Sequence, residues 1–435
     1  MLVFILPGLY PHLSENTAST VQRVFSYAQP IEIPSEEESA AIMNETLARE
    51  MGPWFMTLYA GDSLQPHAEK ETERWLETYN DRSAGYIMNP VSNTDQPAAA
   101  KNRLIPSFRF PRGPLLWRTK IVMSGETPGF KTREQLPFQK YVLIDKQYEL
   151  STRYEWTEVD SDGVLYHQRA APAWMKESEE WNALSPLLHA AASVQYIDER
   201  QHSPIVTIAL CTYNDGEYLP WAIRSVLSQT VTAWELIIVD DHSNDNTSSI
   251  LAKLPVDSRI IKVRQEQNLG KAHALNRALQ MARGSWFLEL DADDWMSPDC
   301  LEVLLHEACR EQNVGVFYAN HVEWLERMNK QLLYQGIRTG PSHFSSRRLL
   351  AEAVAVAPRM FNVSVLKQIG GWNTLVLFEG RLYEDIEMLS KVSCFHPVHH
   401  VPQPLYHRRL RSSSMTHRHL NYYEKWKNSM SDILD

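Results

Sequence analysis

The sequence predicts an α/β protein: an open, mostly parallel sheet with helices on both faces, in tandem with a shortened, degenerate unit of the same kind. Three observations carry this expectation. From Pro204 onward, apolar β-branched runs alternate with segments of helical period. Each run stops at a polar cluster, and open α/β sheets bind their ligands at such strand ends. Two distant stretches of the chain also align without a gap, the mark of an internal repeat.

The elements follow in order. Ile205–Thr212 (IVTIALCT) reads as a buried strand ended by Tyr213-Asn214-Asp215-Gly216, and Glu217–Gln229 places Leu219, Ile223, Val226 and Leu227 on one helical face. Glu235–Asp240 is a second strand, followed by a polar turn and a helix to Leu254. Arg259–Arg264 is a third strand, Lys271–Ala282 a helix and Ser285–Leu290 a fourth strand. Short loops between alternating strands and helices argue for a parallel sheet.

The repeat relates NETLAREMGPWFMTLYAGDSLQP (Asn44–Pro66) to NRALQMARGSWFLELDADDWMSP (Asn276–Pro298). Identities include Asn44/Asn276, Gly52/Gly284, Trp54/Trp286, Phe55/Phe287 and Asp62/Asp294. A weaker echo relates Pro114–Phe130 to Pro358–Trp372. Less chain precedes Asn44 than separates Pro204 from Asn276, so at least one strand–helix unit should be missing from the first half. The expected boundaries are residues 1–170 for the shortened domain and 171–203 for a linker with a helix at Glu177–Val194. Residues 204–411 form the main domain, and 412–435 a tail with a short helix at Asn421–Leu434.

Composition narrows the function classes. The 435 residues carry 43 Lys+Arg against 53 Asp+Glu, a net charge of −10, which argues against a nucleic-acid partner. The four cysteines form no C-x-x-C and read as small buried hydrophobes rather than a disulfide framework or zinc site. The apolar runs fall short of the roughly 20 residues that a bilayer demands. Met1–Pro7 lacks a basic leader. A cytoplasmic chain without a transmembrane segment is expected, with docking to the inner face of the membrane left open.

The sharpest chemical signal is Asp291-Ala292-Asp293 after the fourth strand. Alternate residues of an extended chain face one side, so both carboxylates can converge on one hard cation such as Mg²⁺ or Mn²⁺. Thr212-Tyr213-Asn214, Asp240-Asp241-x-Ser243, Asn268-x-Gly270-Lys271, Asp291-x-Asp293 and a later Glu384-Asp385 follow in an order that resembles glycosyltransferase family 2, with the GT-A fold, over about residues 204–411.

The resemblance implies a nucleotide-diphosphate-sugar donor, with UDP the commonest case. It implies that Thr212, Tyr213, Asn214 and Glu217 line the base pocket and that Asp241 accepts a hydrogen bond from the base. Asn268, Gly270 and Lys271 lie near ribose and phosphates. Asp291 approaches the ribose or a metal-bound water, and Asp293 holds Mn²⁺ or Mg²⁺. Asp385 is the general base in an inverting displacement and Glu384 orients the acceptor. His407, before Arg408-Arg409-Leu410-Arg411, resembles a third metal ligand, and Arg408, Arg409, Arg411 and Ser412–Ser414 a flap over the diphosphate. The acceptor is a glycan, a lipid-linked sugar or a protein. Polymer-exporting members carry membrane helices and Gln-x-x-Arg-Trp; neither is found here, so non-processive transfer is expected.

Competing readings stay open. Asp241-His242-Ser243 can cap the next helix, and an Asp in a first helical turn complements the macrodipole. Trp54 and Trp286 read as core, whereas Trp295 beside the carboxylate pair is a candidate sugar contact. In the first half, Tyr59 and Gly61 replace Asp291 and Asp293, and Phe138-Gln139 fall opposite Glu384-Asp385. That half is expected to serve acceptor binding, homo-oligomerisation or scaffolding. Rival functions are an inactive sugar- or protein-binding scaffold and a sugar-phosphate nucleotidyltransferase. The latter should carry a basic Gly-rich loop, which Cys211–Glu217 lacks.

Overall fold

The computed structural model describes residues 1–8, 10–50, 52–90, 114–124, 128–133, 135–161, 163–165, 179–186, 203–254, 256–311, 313–341, 349, 356–375, 377–411 and 422–428. The chain divides into two units, Met1–His189 with Asn329–Gln331, and Ala190–Met328 with Leu332–Asp435. Of the expected linker helix, residues 179–186 are helical; of the tail helix, 422–428 are. Ser412–Ser414 and the remainder of both segments lie outside the described residues.

The first unit runs β1 (Leu2–Leu6), α1 (Ser14–Val24), β2 (Gln29–Glu32), α2 (Ser39–Arg49), β3 (Trp54–Tyr59), β4 (Ser63–Leu64), α3 (Ala68–Thr78), β5 (Ser83–Pro90), β6 (Leu115–Arg118), α4 (Thr119–Val122), α5 (Val142–Ser151), β7 (Glu155–Ser161) and β8 (Val164–Leu165). Its six-stranded sheet, counted among the described residues, has the order β2-β1-β3-β6-β5-β7. Val3, Met56 and Leu58 pack against Val21, Val24 and Trp75 in its core.

The second unit runs β9 (Val206–Thr212), α6 (Leu219–Leu227), β10 (Trp234–Asp240), α7 (Thr247–Lys253), β11 (Ile260–Arg264), α8 (Lys271–Met281), β12 (Trp286–Asp291), β13 (Trp295–Met296), α9 (Cys300–Arg310), β14 (Val316–Glu326), β15 (Leu332–Arg338), β16 (Arg359–Asn362), α10 (Val363–Gln368), α11 (Glu384–Phe395) and β17 (Val398–Leu410). Its main path is β11-β10-β9-β12-β16-β14-β17-β13, with β15 on β14. Alternation along β10 builds two cores. Leu236 and Ile238 meet Ala222 and Ile223 of α6 and Leu301 of α9 on one face, and Ile237 and Val239 meet Ala274, Leu275 and Ala278 of α8 on the other. Each such aliphatic side chain contributes roughly 1.5–3 kcal/mol on full burial.

The sheet is more mixed than expected. β11, β10, β9 and β12 are parallel, whereas β16 is antiparallel to both β12 and β14. Parallel pairing needs a crossover connection; β14 and β15 are joined by a short turn, which permits only the antiparallel arrangement seen. Among the described residues no helix is long and apolar enough to cross a membrane. Of the cysteines, Cys300 is buried as expected, but Cys309 and Cys394 are exposed.

The two units share more than composition. Without β11, β13 and β15 the second sheet reads β10-β9-β12-β16-β14-β17, which runs strand for strand like β2-β1-β3-β6-β5-β7 with the same directions. Asn44 Nδ2 donates to the Phe130 carbonyl at 2.8 Å while the Phe130 N–H donates to Asn44 Oδ1 at 2.7 Å. Asn276 makes the same pair of bonds with Trp372, at 2.7 and 2.9 Å. Gly129 and Gly371 precede those partners with φ of 78° and 73°, and a Cβ on either would strike the asparagine at 2.3–2.4 Å.

Candidate active site

The loops after β9, β10 and β12 meet at one end of the second sheet, because β9 lies between the other two. Asn214 takes a left-handed conformation (φ 56°), which asparagine tolerates better than most residues. Its N–H donates to Ser243 Oγ at 2.9 Å, and its Oδ1 accepts from the Asn244 N–H at 2.7 Å. Asp245 accepts from the N–H groups of Gly216 and Thr247. The N-cap residue of α7 is Asn246, whose side chain makes no capping bond; Asp245 takes the first N–H of the helix, and Asp241 bonds elsewhere. Thr212 is buried with no hydrogen-bond partner for its hydroxyl among the described residues, while Tyr213 is 43% exposed. Glu217 is half-buried just beyond this turn.

Asp241 holds the loop that opens α8. Its oxygens accept from the N–H groups of Leu269 (2.8 Å) and Gly270 (2.7 Å) and from Gln265 Nε2 (2.6 Å). A carboxylate with three protein donors positions this loop, a role beyond the expected contact with a base. Arg381 completes the clamp: its guanidinium donates to the Asn268 side chain and, at 2.9 Å, to the Asn268 carbonyl. Gly270 has φ 95°, and a Cβ there would lie 2.7 Å from Arg381 Cγ.

Three carboxylates gather behind this loop. Lys271 Nζ lies 2.6 Å from Asp291 Oδ1 and 3.3 Å from Glu384 Oε1. Burial opposes the ammonium, but Asp291, Glu384 and Glu289 outweigh it and hold Lys271 well above its ordinary pKa. Burial likewise raises Asp291, yet Lys271 and Arg359 prevail and bring it to about 2. Glu384 is lifted to about 7, chiefly by burial, with Lys271 opposing and Asp385 adding. Asp385 Oδ2 stands 3.3 Å from Arg359 Nη1. The chain enters α11 through left-handed Phe378, Glu379 and Tyr383, non-glycine conformations that cost on the order of 1–3 kcal/mol each.

Asp293 faces a different cation. Its Oδ2 lies 2.7 Å from Arg411 Nη2, and Arg411 Nη1 lies 2.9 Å from Asp215 Oδ1. Asp215 is raised to about 6 by burial and then by Asp293, against the pull of Arg411. Two hard carboxylates thus converge on one guanidinium, a donor set suited to a divalent cation. Among the described residues no group of three His, Cys, Asp or Glu forms a ready metal centre. Asp294 turns away: its Oδ1 accepts from the Arg409 N–H at 2.7 Å.

Two expectations fail on geometry. His407 is buried, accepts from Trp324 Nε1 on Nδ1 at 3.2 Å and bonds Ser297 Oγ through Nε2 at 3.1 Å. With both ring nitrogens engaged inside the core, it is placed as a structural residue and not as a metal ligand; burial drives its pKa down to about 3. Trp295 is fully buried, stacked on His407 and against Trp221 and Trp324, so it is no sugar contact. Of the basic tail, Arg409 is also structural, paired with Glu326 at 2.8 Å. Arg408 is 3.9 Å from Glu323, and only Arg411 reaches the carboxylates described above.

Residues 207–370 match the model for Glycosyl transferase family 2. They form a domain of that family. The chain also has relatives among known proteins. A chondroitin synthase of Pasteurella multocida (strain Pm70) is 26% identical over 291 residues, covering 65% of this chain and 29% of that protein. A hyaluronan synthase of Pasteurella multocida is 27% identical over 222 residues, covering 51% of this chain and 22% of that one. The chain thus spans less than a third of the length of these relatives. Among solved structures, residues 1–349 of S. aureus TarS in complex with UDP match at 18% identity and a TM-score of 0.39, over 48% of this chain and 61% of that one.

Sequence reasoning missed Asp215, Glu289, Arg359 and Arg381. Asp215 stood in the quoted Tyr213–Gly216 cluster, and its place beside a strand end was the available signal. Glu289 and Arg359 lie within the repeated stretches but at none of the motif positions, Arg381 lies outside them, and only folding brings the three to the site.

Proposed function

We propose that the family 2 domain transfers a sugar from a nucleotide-diphosphate donor, a UDP-sugar, to a hydroxyl of a glycan, with inversion, metal dependence and no processive elongation. The observation that carries this reading is the cluster at the end of β12, where Asp291 and Glu384 share Lys271 and Asp385 opens the adjoining helix. The names of the chondroitin and hyaluronan synthases favour a glycan acceptor.

The buried Thr212 hydroxyl and the exposed Tyr213 ring supply a polar and a flat apolar contact for a base. Asp385 removes the proton of the attacking hydroxyl, and Glu384, tied to Lys271, orients the acceptor. Asp293, with Asp215 across Arg411, would hold Mn²⁺ or Mg²⁺, which supplies Lewis-acid stabilisation of the leaving diphosphate. Arg411 then turns from the carboxylates to the phosphate oxygens, which a guanidinium binds in bidentate fashion.

The first unit is, on this reading, a second GT-A-like domain that has lost its chemistry. Tyr59 stands where Asp291 does, and Asp62 accepts from the Tyr59 N–H at 2.9 Å as a turn-former. A 3-10 turn at Gln139–Tyr141 runs directly into its helix α5, so neither the expected Phe138-Gln139 nor the opening pair Val142-Leu143 sets a carboxylate where α11 opens with Glu384-Asp385. A role in acceptor binding or self-association suits such a domain.

The test is a panel of nucleotide sugars with Mn²⁺ or Mg²⁺ and glycan acceptors, scored for nucleoside diphosphate release. One donor should give acceptor-dependent release that Asp293→Ala abolishes. If every donor leaves both melting temperature and release unchanged, the enzyme reading is wrong.

A further inference from the structure

Glu289 and Arg359 form a buried ion pair that none of the sequence motifs contains. Arg359 is 6% exposed and Glu289 3%. They face each other across the β12–β16 ladder, with Nη2 and Nε of Arg359 at 2.6 and 3.1 Å from Glu289 Oε2. Arg359 Nη1 donates to the Val356 carbonyl at 2.6 Å and to Asp385 Oδ2 at 3.3 Å. The other Asp385 oxygen accepts from the Ile386 N–H at 2.9 Å. One guanidinium thus ties the opening of α11 to the centre of the sheet.

The first unit shows what the fold itself requires at these places. The ladder β3–β6 pairs Trp54 with Arg118, Phe55 with Trp117, Met56 with Leu116 and Thr57 with Leu115. The ladder β12–β16 pairs Trp286 with Asn362, Phe287 with Phe361, Leu288 with Met360 and Glu289 with Arg359. Thr57 and Leu115 therefore replace the ion pair, and Thr57 Oγ1 simply accepts from Trp117 Nε1 at 2.9 Å. Ser39 replaces Lys271 as the first residue of its helix, and neither Phe138-Gln139 nor Val142-Leu143 at the opening of α5 supplies a carboxylate in the place of Asp385. The network is absent as a set where the sheet order is kept. A buried ion pair is in any case weak evidence for stability, since apolar replacements of like volume are often neutral.

We propose that Arg359, anchored by Glu289, is a positioning residue that fixes the Asp385 carboxylate for proton removal from the acceptor. The inference rests on the assignment of Asp385 as the base. The double replacement Glu289→Thr/Arg359→Leu installs the pair that β3–β6 already carries. With the full-length chain it should keep its melting temperature within a few degrees, and its affinity for UDP with Mn²⁺ by calorimetry should be unchanged. The KM for donor should hold while kcat falls by about 100-fold. Glu289→Gln, a milder change that loosens the anchor, should lower kcat about tenfold with the same unchanged UDP affinity. Arg359→Lys should recover part of the loss. A kcat within twofold of wild type in folded Glu289→Gln and Arg359→Leu proteins would overturn the proposal. So would losses of UDP affinity that match the losses of kcat. If Asp385→Asn itself keeps full kcat, the base assignment beneath the proposal fails, which is a separate result.

Discussion

Asp385 and Glu384 are neighbours with different surroundings, and their chemistry divides accordingly. Asp385 is 31% exposed on its side chain and touches one cation, whereas Glu384 is 10% exposed and held by Lys271. Asp385→Asn should lower kcat by about 10²–10⁴-fold with donor KM unchanged, measured by steady-state UDP release. Burial raises Glu384 from 4.5 to about 7. A carboxyl raised on folding contributes most at low pH, and that contribution is lost as pH climbs from its unfolded to its folded pKa. The melting temperature of the wild type should therefore fall more between about pH 5 and pH 8 than that of Glu384→Gln. These two residues were legible because Glu-Asp opens an obvious helix. Arg359 was not, because a lone arginine beginning a four-residue strand has no pattern; its meaning comes from the Glu289 opposite.

At the scale of elements, the sequence periodicity located β9 through β12 and their helices to within about two residues, since strands buried on both faces leave long apolar runs. It failed where one segment changes function along its length. Trp295 reads as a sugar contact beside the carboxylates but forms, with Met296, a short strand against His407 and Tyr406 of β17. That pairing buries both Trp295 and His407. His407→Ala should accordingly destabilise the protein by roughly 2–4 kcal/mol in urea unfolding while leaving the Mn²⁺ concentration for half-activity unchanged. The loop between β11 and α8 works through backbone geometry. Gly270→Ala, placed at φ 95° against Arg381, should cost on the order of 1–3 kcal/mol and raise donor KM, both read from the same preparation.

For the whole molecule, two units with one strand order and one set of carboxylates imply a single donor site per chain. Titration of the full-length protein with its donor and Mn²⁺ should saturate at about one equivalent, and Asp293→Ala should remove all of it rather than half. The relation between the units was legible through Asn44/Asn276 and the shared Trp-Phe entry, because these residues hold helix to sheet in the same way in both. The expected missing piece was read as a length difference; among the described residues the first sheet has no strand beyond β2, where the second sheet has β11 beyond β10. That leaves β2 as the outer strand of the first sheet, and β2 is four residues long with Pro30 in its middle and Glu32 at its end. Proline offers no N–H to an incoming strand, and a charged end repels one. Among the described residues this border of the sheet is therefore a poor template for pairing with the same border of a neighbouring chain.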